Sequence, residues 1–546
     1  MGRIASRADA LLRNETVEYD LNGNAIRAVD RNGHVTTMTY DGLDRLRLRT
    51  YDDGSTTTYT YDAGDRLTSI VESTGTFITR TYDGLDRVFS ETTQDGTVSY
   101  TYDLAGRRAT MTVNGGSPVT YGYDVADRLT SVTRGTQTVT LDYDAASRRT
   151  VMVLPGGIRQ EYTLDDAGQT TGIAYISGGF TLGTLTYGYD AAGRRTTVGG
   201  TWARTLLPQS LAAAYDAASR LASVGTILYS YDRNGNVASD GPSAYAWNAR
   251  NQLTAVSSST ATSSYAYDAE GRRVERTLDG QVTRFVYDGA QAVREVPNTG
   301  SAVDFVNGPG LDQVWARLQG ASATTLVTDA LASTVAEGDA LGAVSLTRIY
   351  EPFGRSAENG ASVENSLQFT GREKDRDELY YYRARYYQPA IGRFTSEDPA
   401  GFVDGLNTYS YAKGGPVDGR DPTGMYVTNN STCTIWYKPE SAGNLALPLP
   451  CGESSYWHDG VAVPESHQGQ VFKNSTGVNV SVGPGGTVQA WYFFGTELFL
   501  RRYQDRDGGW KGQDWLAERH SMPVPDNDWN QLFEASQKRP DCKCEH

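Results

Sequence analysis

The chain has 546 residues, enough for several domains with real cores. Fifty basic against 65 acidic side chains leave a formal charge of −15 and a pI near 4.9, which argues against a surface built to coat nucleic acid. No apolar run reaches the roughly 18 residues of a spanning helix, Met1–Arg13 lacks the apolar core of a signal peptide, and 35 Tyr with 59 Gly favour short strands and tight turns over helices.

From the N-terminus, a Tyr-Asp pair followed by a small-residue turn, and usually an Arg, recurs at Tyr19, Tyr40, Tyr61, Tyr82, Tyr102, Tyr123 and Tyr143, in steps of 20 or 21 residues. After a degenerate Leu164-Asp165, the pair returns at Tyr189, Tyr215, Tyr231, Tyr267 and Tyr287, with Trp247-Asn248 as a variant. Each unit reads as a hairpin. In Thr97-Val98-Ser99-Tyr100-Thr101-Tyr102 one face takes Val and Tyr while the other takes Thr and Ser. The repeated Asp is placed to bond turn amides, with Arg45, Arg66, Arg107 or Arg128 as partner. A carboxylate copied twelve times serves geometry rather than catalysis. Residues 297–345 lose the period but still read as strands and turns, so the same wall continues.

The following stretch is dense in aromatics and arginines: Phe369-Thr-Gly-Arg-Glu373, Leu379-Tyr-Tyr-Tyr-Arg-Ala-Arg-Tyr-Tyr387, Gly392-Arg-Phe-Thr-Ser-Glu-Asp-Pro399, Asn407-Thr-Tyr-Ser-Tyr411 and Asp421-Pro-Thr-Gly424. With the Tyr-Asp units, these segments resemble the YD repeats and the closing core of Rhs and teneurin-like proteins, over roughly residues 15–425. The resemblance implies a mainly β fold: a hairpin strip over 1–345 that spirals into a shell, an Rhs-associated core over 346–425, and a variable C-terminal domain over 426–546. It further implies a toxin for competition between bacteria. The chain would be made in the cytoplasm without a cleavable leader, carried by secretion machinery into a target cell and neutralised in the producer by an immunity protein.

Family analogy also places an aspartic autoprotease at the end of the core, with Asp398 and Asp421 as its carboxylates, Arg393 orienting one of them, and the cut between Met425 and Tyr426. Two carboxylates about 3 Å apart share a proton, so that one activates water while the other polarises the scissile carbonyl. Glu397 is the decoy: if 393–399 is extended, neighbours face opposite ways and only one of Glu397 and Asp398 reaches the site. Two positions depart from the family pattern. Met425 stands where Leu is usual, a change that keeps an apolar side chain of similar volume, and Gly415-Pro416 replaces Asn-Pro.

The last 121 residues differ in chemistry, holding all four Cys, four of five His and six of nine Trp. Strand-like text at Cys433–Tyr437, Gly477–Val482 and Val488–Phe494, and a short helix near Asp528–Gln537 capped by Asp526 or Asn527, predict a small α+β domain. Cys433 and Cys451 can pair with Cys542 and Cys544 in a disulfide framework. Alternatively Cys542-Lys-Cys544 joins His546 at a metal, although that spacing is tighter than ordinary zinc loops. His458, Glu465, His467 and His520 are the candidates for acid–base hydrolysis, as in a nuclease or glycan hydrolase. No phosphate-cradling loop, HExxH or GxSxG occurs there, and no cofactor is expected.

Area arithmetic tests closure of the shell. A compact cargo of this size has an outer radius of roughly 18 Å. A sheet around it at a mean radius of about 24 Å covers roughly 7,000 Å², whereas two thirds of the first 425 residues at about 16 Å² each cover only about 4,500 Å². An upstream segment, a separate chain or a second copy is therefore expected to complete the wall. The main alternative is a non-enzymatic, adhesive YD-repeat surface protein whose tail is a binding module.

Overall fold

The structure, a computed structural model, describes residues 3–425 apart from 204–209, 211, 362–364, 376–377 and 403–404, and beyond them the backbone of eight short strands between Ile435 and Lys511. Among the described residues there is no α-helix. Nineteen strands, from Ser6–Ala8 to Arg195–Gly199, form one sheet in which each strand pairs antiparallel with its neighbours in sequence. Three short strands over Ala213–Leu228 follow, and then a fourteen-stranded meander from Ser230–Tyr231 to Ser356–Gly360. Residues 297–345 belong to this second meander. Its pairing continues through Val344–Tyr350 and Ser356–Gly360, so the wall extends past the boundary that sequence reading set at residue 345.

One turn chemistry builds the wall. Asp41 Oδ1 accepts the amides of Leu43 (2.9 Å) and Arg45 (3.1 Å), and its Oδ2 accepts Arg45 Nε (2.8 Å). Asp62, Asp83, Asp103, Asp124 and Asp144 repeat that pattern. A β-bulge at each repeat Tyr starts the turn, and its fourth residue is left-handed, with φ of 60° at Asp44 and 65° at Asp65. The Tyr hydroxyl donates back across the strip, Tyr61 to Leu46 O (3.0 Å) and Tyr82 to Leu67 O (2.7 Å). Each turn Arg then reaches the next repeat: Arg45 lies 4.6 Å from the Tyr61 ring and bonds Asp65 at 2.6 Å. Local closure and coupling between repeats therefore use the same guanidinium.

The strip winds on itself. Arg31 donates to Asn234 O, 203 residues on. Further along, Arg272 meets Glu91 after 181 residues, Arg134 meets Phe305 O after 171, Thr325 meets Pro155 O after 170, and Tyr175 meets Thr328 O after 153. The interval is one coil of a spiral, and its shortening means that the spiral tightens towards the C-terminal side. Asp30, Asn32 and Glu72 sit at turns opposite the Tyr-Asp turns, whereas their partners Asn234, Asp232 and Arg250 sit in the Tyr-Asp turns of the second strip. One edge of the first coil thus abuts the opposite edge of the next.

The tight end is filled by residues 365–425. A four-stranded sheet of Glu373–Lys374, Tyr380–Tyr382, Arg385–Gln388 and Arg393–Phe394 sorts its aromatics by strand alternation. Tyr380, Tyr382, Tyr387 and Phe394 pack with Phe369 and Tyr411 into the main core, the Tyr387 and Tyr411 rings lying 4.6 Å apart. Tyr381 and Tyr386 face the other way, towards Arg273, which is fully buried, lies 4.2 Å from the Tyr381 ring and bonds Asp375 at 2.6 Å and Glu373.

The turn acids differ in burial, and this gives a measurable contrast. Asp268 accepts the amides of Glu270 and Arg272 (3.0 Å each) and Arg272 Nε (2.7 Å) at only 1% exposure, while Asp124 makes the same bonds at the rim. Asp268→Ala leaves a buried guanidinium short of one acid and is expected to lower local stability by about 3–5 kcal/mol. Asp124→Ala is expected to have a markedly smaller effect. Hydrogen exchange of the amides in each turn measures both.

Candidate functional site

Arg385 opens the strand Arg385–Gln388 and is buried together with Asp398 and Asp421. Its Nη2 bonds Asp398 Oδ2 at 2.9 Å and Asp421 Oδ2 at 3.1 Å, so the two carboxylates are no further apart than those contacts laid end to end. Nη1 donates to Thr408 O (2.9 Å), Nε donates to Gly424 O, and the guanidinium sits 3.7 Å from the centre of the Phe394 ring. Each carboxylate also closes its own Asp-Pro turn. Asp398 Oδ1 accepts Ala400 N (2.8 Å), and Asp421 Oδ1 accepts Gly424 N (2.8 Å) and Met425 N (3.1 Å).

Residues 421–425 thus lie against the hairpin turn at Tyr382–Arg385, where Ala384 N donates to Thr423 O at 3.0 Å. Approach is so close at Gly424, which has a φ of 71°, that a Cβ would stand 2.3 Å from Tyr382 O. Met425 is half-buried and, with Thr423, Ser396, Glu397 and Asp398, lines a cavity of about 560 Å³ between the plug and the coils. Asp421, at 1% exposure, lies behind it.

Neighbouring acids do diverge. Glu397 takes Arg31 Nη2 (2.6 Å) and Nη1 (3.1 Å), while Asp398 meets Arg385. Burial, then the Glu397 carboxylate, push the Tyr409 hydroxyl far above its ordinary range, so it stays protonated and donates to Gly235 O at 2.7 Å. Arg393 requires a correction. It was expected beside one carboxylate, but it donates to Ser219 O and Asn407 Oδ1 and lies over the Tyr215 and Tyr409 rings. The reason is register: Arg393 pairs with Gln388 at the far end of the short sheet, which aims it at the wall turn that holds Ser219. Sequence reading passed over Arg385 because Arg383, Arg385 and Arg393 look alike there, and only the fold shows which one reaches both acids.

Tyr426, His458, Glu465, His467, His520, Cys433, Cys451, Cys542, Cys544 and the helix expected near 528–537 lie outside the described residues. Described strands at Ile435–Tyr437 and Asn479–Ser481 fall within two of the segments expected to be extended, and the strand Thr487–Phe494 covers the third and starts one residue before it.

Removing the shared cation has a pH signature. In Arg385→Leu two buried carboxylates face each other uncompensated, so their folded-state pKa values rise. The penalty is then present above the ordinary carboxylate range and relieved as protons bind. Arg385→Leu is therefore expected to cost several kcal/mol, about 3–5, with the larger loss at pH 8 than at pH 5, as measured by denaturant unfolding of the purified chain.

The teneurin YD-shell family model matches residues 16–201 and 157–416. The chain is 30% identical over 256 residues to tRNA nuclease WapA of Bacillus subtilis, covering 44% of this chain and 11% of that protein. It is 42% identical over 94 residues to toxin subunit YenC2 of Yersinia entomophaga, which is 16% of this chain and 10% of that one. The crystal structure of TcdB2–TccC3 superposes with a TM-score of 0.55 at 19% identity, over 75% of this chain and 29% of that structure, and so shares the fold. The chain spans about a tenth of the length of these curated relatives. With its repeat turns, its spiral wall and a family match that runs almost to the end of the plug, the chain belongs to the teneurin YD-shell family, as an Rhs/YD-repeat protein.

Proposed function

We propose that this chain is the closing part of an Rhs-type toxin, and that its plug hydrolyses the peptide bond between Met425 and Tyr426 to free the region beyond as an effector. The observation that carries this reading is the meeting of Asp398 and Asp421 on one arginine, with Asp421 already bonded to the Met425 amide. Asp398 borders the cavity and takes a proton from a water there. Asp421, protonated for the reaction, polarises the Met425 carbonyl. The hydroxyl adds to that carbon and the C–N bond breaks. The transferred proton leaves on the Tyr426 amine, and the new acid at Met425 gives up its own proton to that amine, so one water is consumed and a Met425 carboxylate and a Tyr426 ammonium are formed. Relatives whose names describe toxins, among them YenC2 and Tse5 of Pseudomonas aeruginosa, support the toxin role. Within the effector, His458, Glu465, His467 and His520 remain the candidates for hydrolytic chemistry, and a cognate immunity protein would protect the producer.

The wall itself supports a missing coil. In the seam between coils the second residue after the turn Asp or Asn reaches across at three turns, Asn234 to Asp30 (2.7 Å), Arg250 to Glu72 and Glu270 to Arg80 (2.7 Å). Leu43 and Leu85 hold that position in the first coil and are 66% and 73% exposed, with Leu21, Leu104 and Val125 bare beside them. A further coil of β-wall, supplied by a preceding segment or a separate chain, would cover this apolar rim.

Intact-mass spectrometry of the expressed chain tests self-cleavage. Scaled by residue count from 59.4 kDa, fragments of about 46 and 13 kDa are expected, and Asp421→Asn should give one intact species. Cutting that persists in both Asp398→Asn and Asp421→Asn would eliminate the dyad. Expression of residues 426–546 in bacteria should arrest growth until a small protein encoded nearby is co-expressed; normal growth at high level would favour the adhesive alternative. Light scattering that reports a closed, single-chain particle would refute the missing coil.

A further inference from the structure

Arg383 is the other arginine of the turn that holds residues 421–425, and it faces two ways. It occupies the tight loop between Tyr380–Tyr382 and Arg385–Gln388 with a φ of 57° and is largely buried. One nitrogen, Nη1, donates to Pro422 O, in the segment to be cut. The remaining donors go to the second coil of the wall: Nε to Ala290 O (2.9 Å), and Nη2 to Gln291 Oε1 (3.2 Å) and Asp312 Oδ1 (2.8 Å). The wall residues are themselves tied together, since Asp312 N donates to Gln291 Oε1 at 2.8 Å and Asp312 Oδ1 also takes Arg372 at 2.5 Å. Asp312 is 1% exposed, so this acid belongs to the packed structure and not to solvent.

Three successive carbonyls of the segment are consequently captured by three successive residues: Pro422 by Arg383, Thr423 by Ala384 and Gly424 by Arg385. The bonds described above for Arg385 lie within the plug and the segment, whereas the fork of Arg383 takes its direction from the wall. A planar guanidinium with three of its acceptors fixed has one orientation left, and that orientation delivers the fourth bond to Pro422.

We propose that Arg383 is a positioning residue that makes self-cleavage conditional on a docked wall, holding Pro422 in place only while Ala290, Gln291 and Asp312 of the second coil are seated on the plug. The proposal rests on the self-cleavage reading and adds its regulation. Without the Arg383 bond the segment is still held at Thr423 by Ala384 and at Gly424 by Arg385, but Pro422 loses its tie beside Asp421, and a misplacement of about 1 Å passed on to the Met425 carbonyl is enough to slow a reaction steeply. Cutting would then follow assembly of the shell and would not run on an unfinished chain.

The test follows the full-length chain during cell-free synthesis, with intact and cleaved masses quantified over time. Arg383→Gln, which keeps bulk and loses charge, is expected to slow cleavage by roughly tenfold or more. Added methylguanidinium should restore part of the rate to Arg383→Ala, a response that a merely structural defect would not give. Gln291→Ala should slow cleavage in the same direction without adding to Arg383→Gln, because both act through one fork. Asp312→Asn should do likewise; should its altered pairing with Arg372 prevent folding, Gln291→Ala carries the comparison alone. Wild-type speed in Arg383→Gln, or additive effects of the wall and turn variants, would overturn the latch while self-cleavage stood. An unsubstituted chain that is never cut, or cutting that survives loss of both Asp398 and Asp421, would remove the reading beneath it, and the latch would fall with it.

Discussion

From Asp41 to Asp124, each repeat turn is closed by one carboxylate that accepts backbone amides and a guanidinium, and that guanidinium then lies on the next repeat's tyrosine ring. In Asp62–Arg66–Tyr82 the contacts are 2.7 Å from Arg66 Nε to the carboxylate and 4.8 Å from the guanidinium to the ring centre. Fixing the turn and fixing its offset from the next are thus the same act. A constant offset between hairpins, together with the ordinary twist of strands, produces steady curvature, and steady curvature brings residue 31 back against residue 234. The seat for the plug exists only because that return is made.

A sheet one layer thick cannot bury its inner face by itself. Here the tight end of the spiral gains a second layer from the plug, whose strand alternation sends Tyr380, Tyr382 and Tyr387 to one core and Tyr381 and Tyr386 to another. Between these layers lie Arg273, Arg348, Arg372 and Arg385, all buried and each paired with at least one acid. Desolvating so many charges costs more than apolar packing would. What arginine supplies in return is direction: a planar fork with five donors fixes several carbonyls and carboxylates at once. At Arg385 those acceptors are the two acids and the carbonyl of Gly424, and at Arg383 they are the wall and the carbonyl of Pro422.

Asp398 and Asp421 show how a structural and a chemical role can share one side chain. Each caps its own Asp-Pro turn through one oxygen and presents the other to Arg385. Capping holds each carboxylate still, and the shared cation lets two acids approach inside a protein without repelling each other apart. Proposed hydrolysis at Met425 uses the rigidity that the turns already supply.

The repeat strip was legible in the sequence because its signals are local: a tyrosine, an aspartate that accepts turn amides two and four residues on, and an arginine four residues on. Glu397 and Asp398 diverge as expected, although the strand ends at Phe394 and bends at Thr395–Ser396 precede them, so extended backbone alone does not account for it. The assignment of Arg393 failed because Arg383, Arg385 and Arg393 are equivalent until register places them, and Arg393 pairs with Gln388 at the wrong end of a short sheet. The sequence by itself determined the hairpins, the alternation of faces and the two Asp-Pro turns, all set by contacts within a few residues. Tertiary structure decided which edge meets which, how fast the spiral tightens and which arginine joins Asp398 to Asp421, because those contacts close over separations of 153 to 203 residues along the wall and 36 within the plug, distances at which no local preference acts.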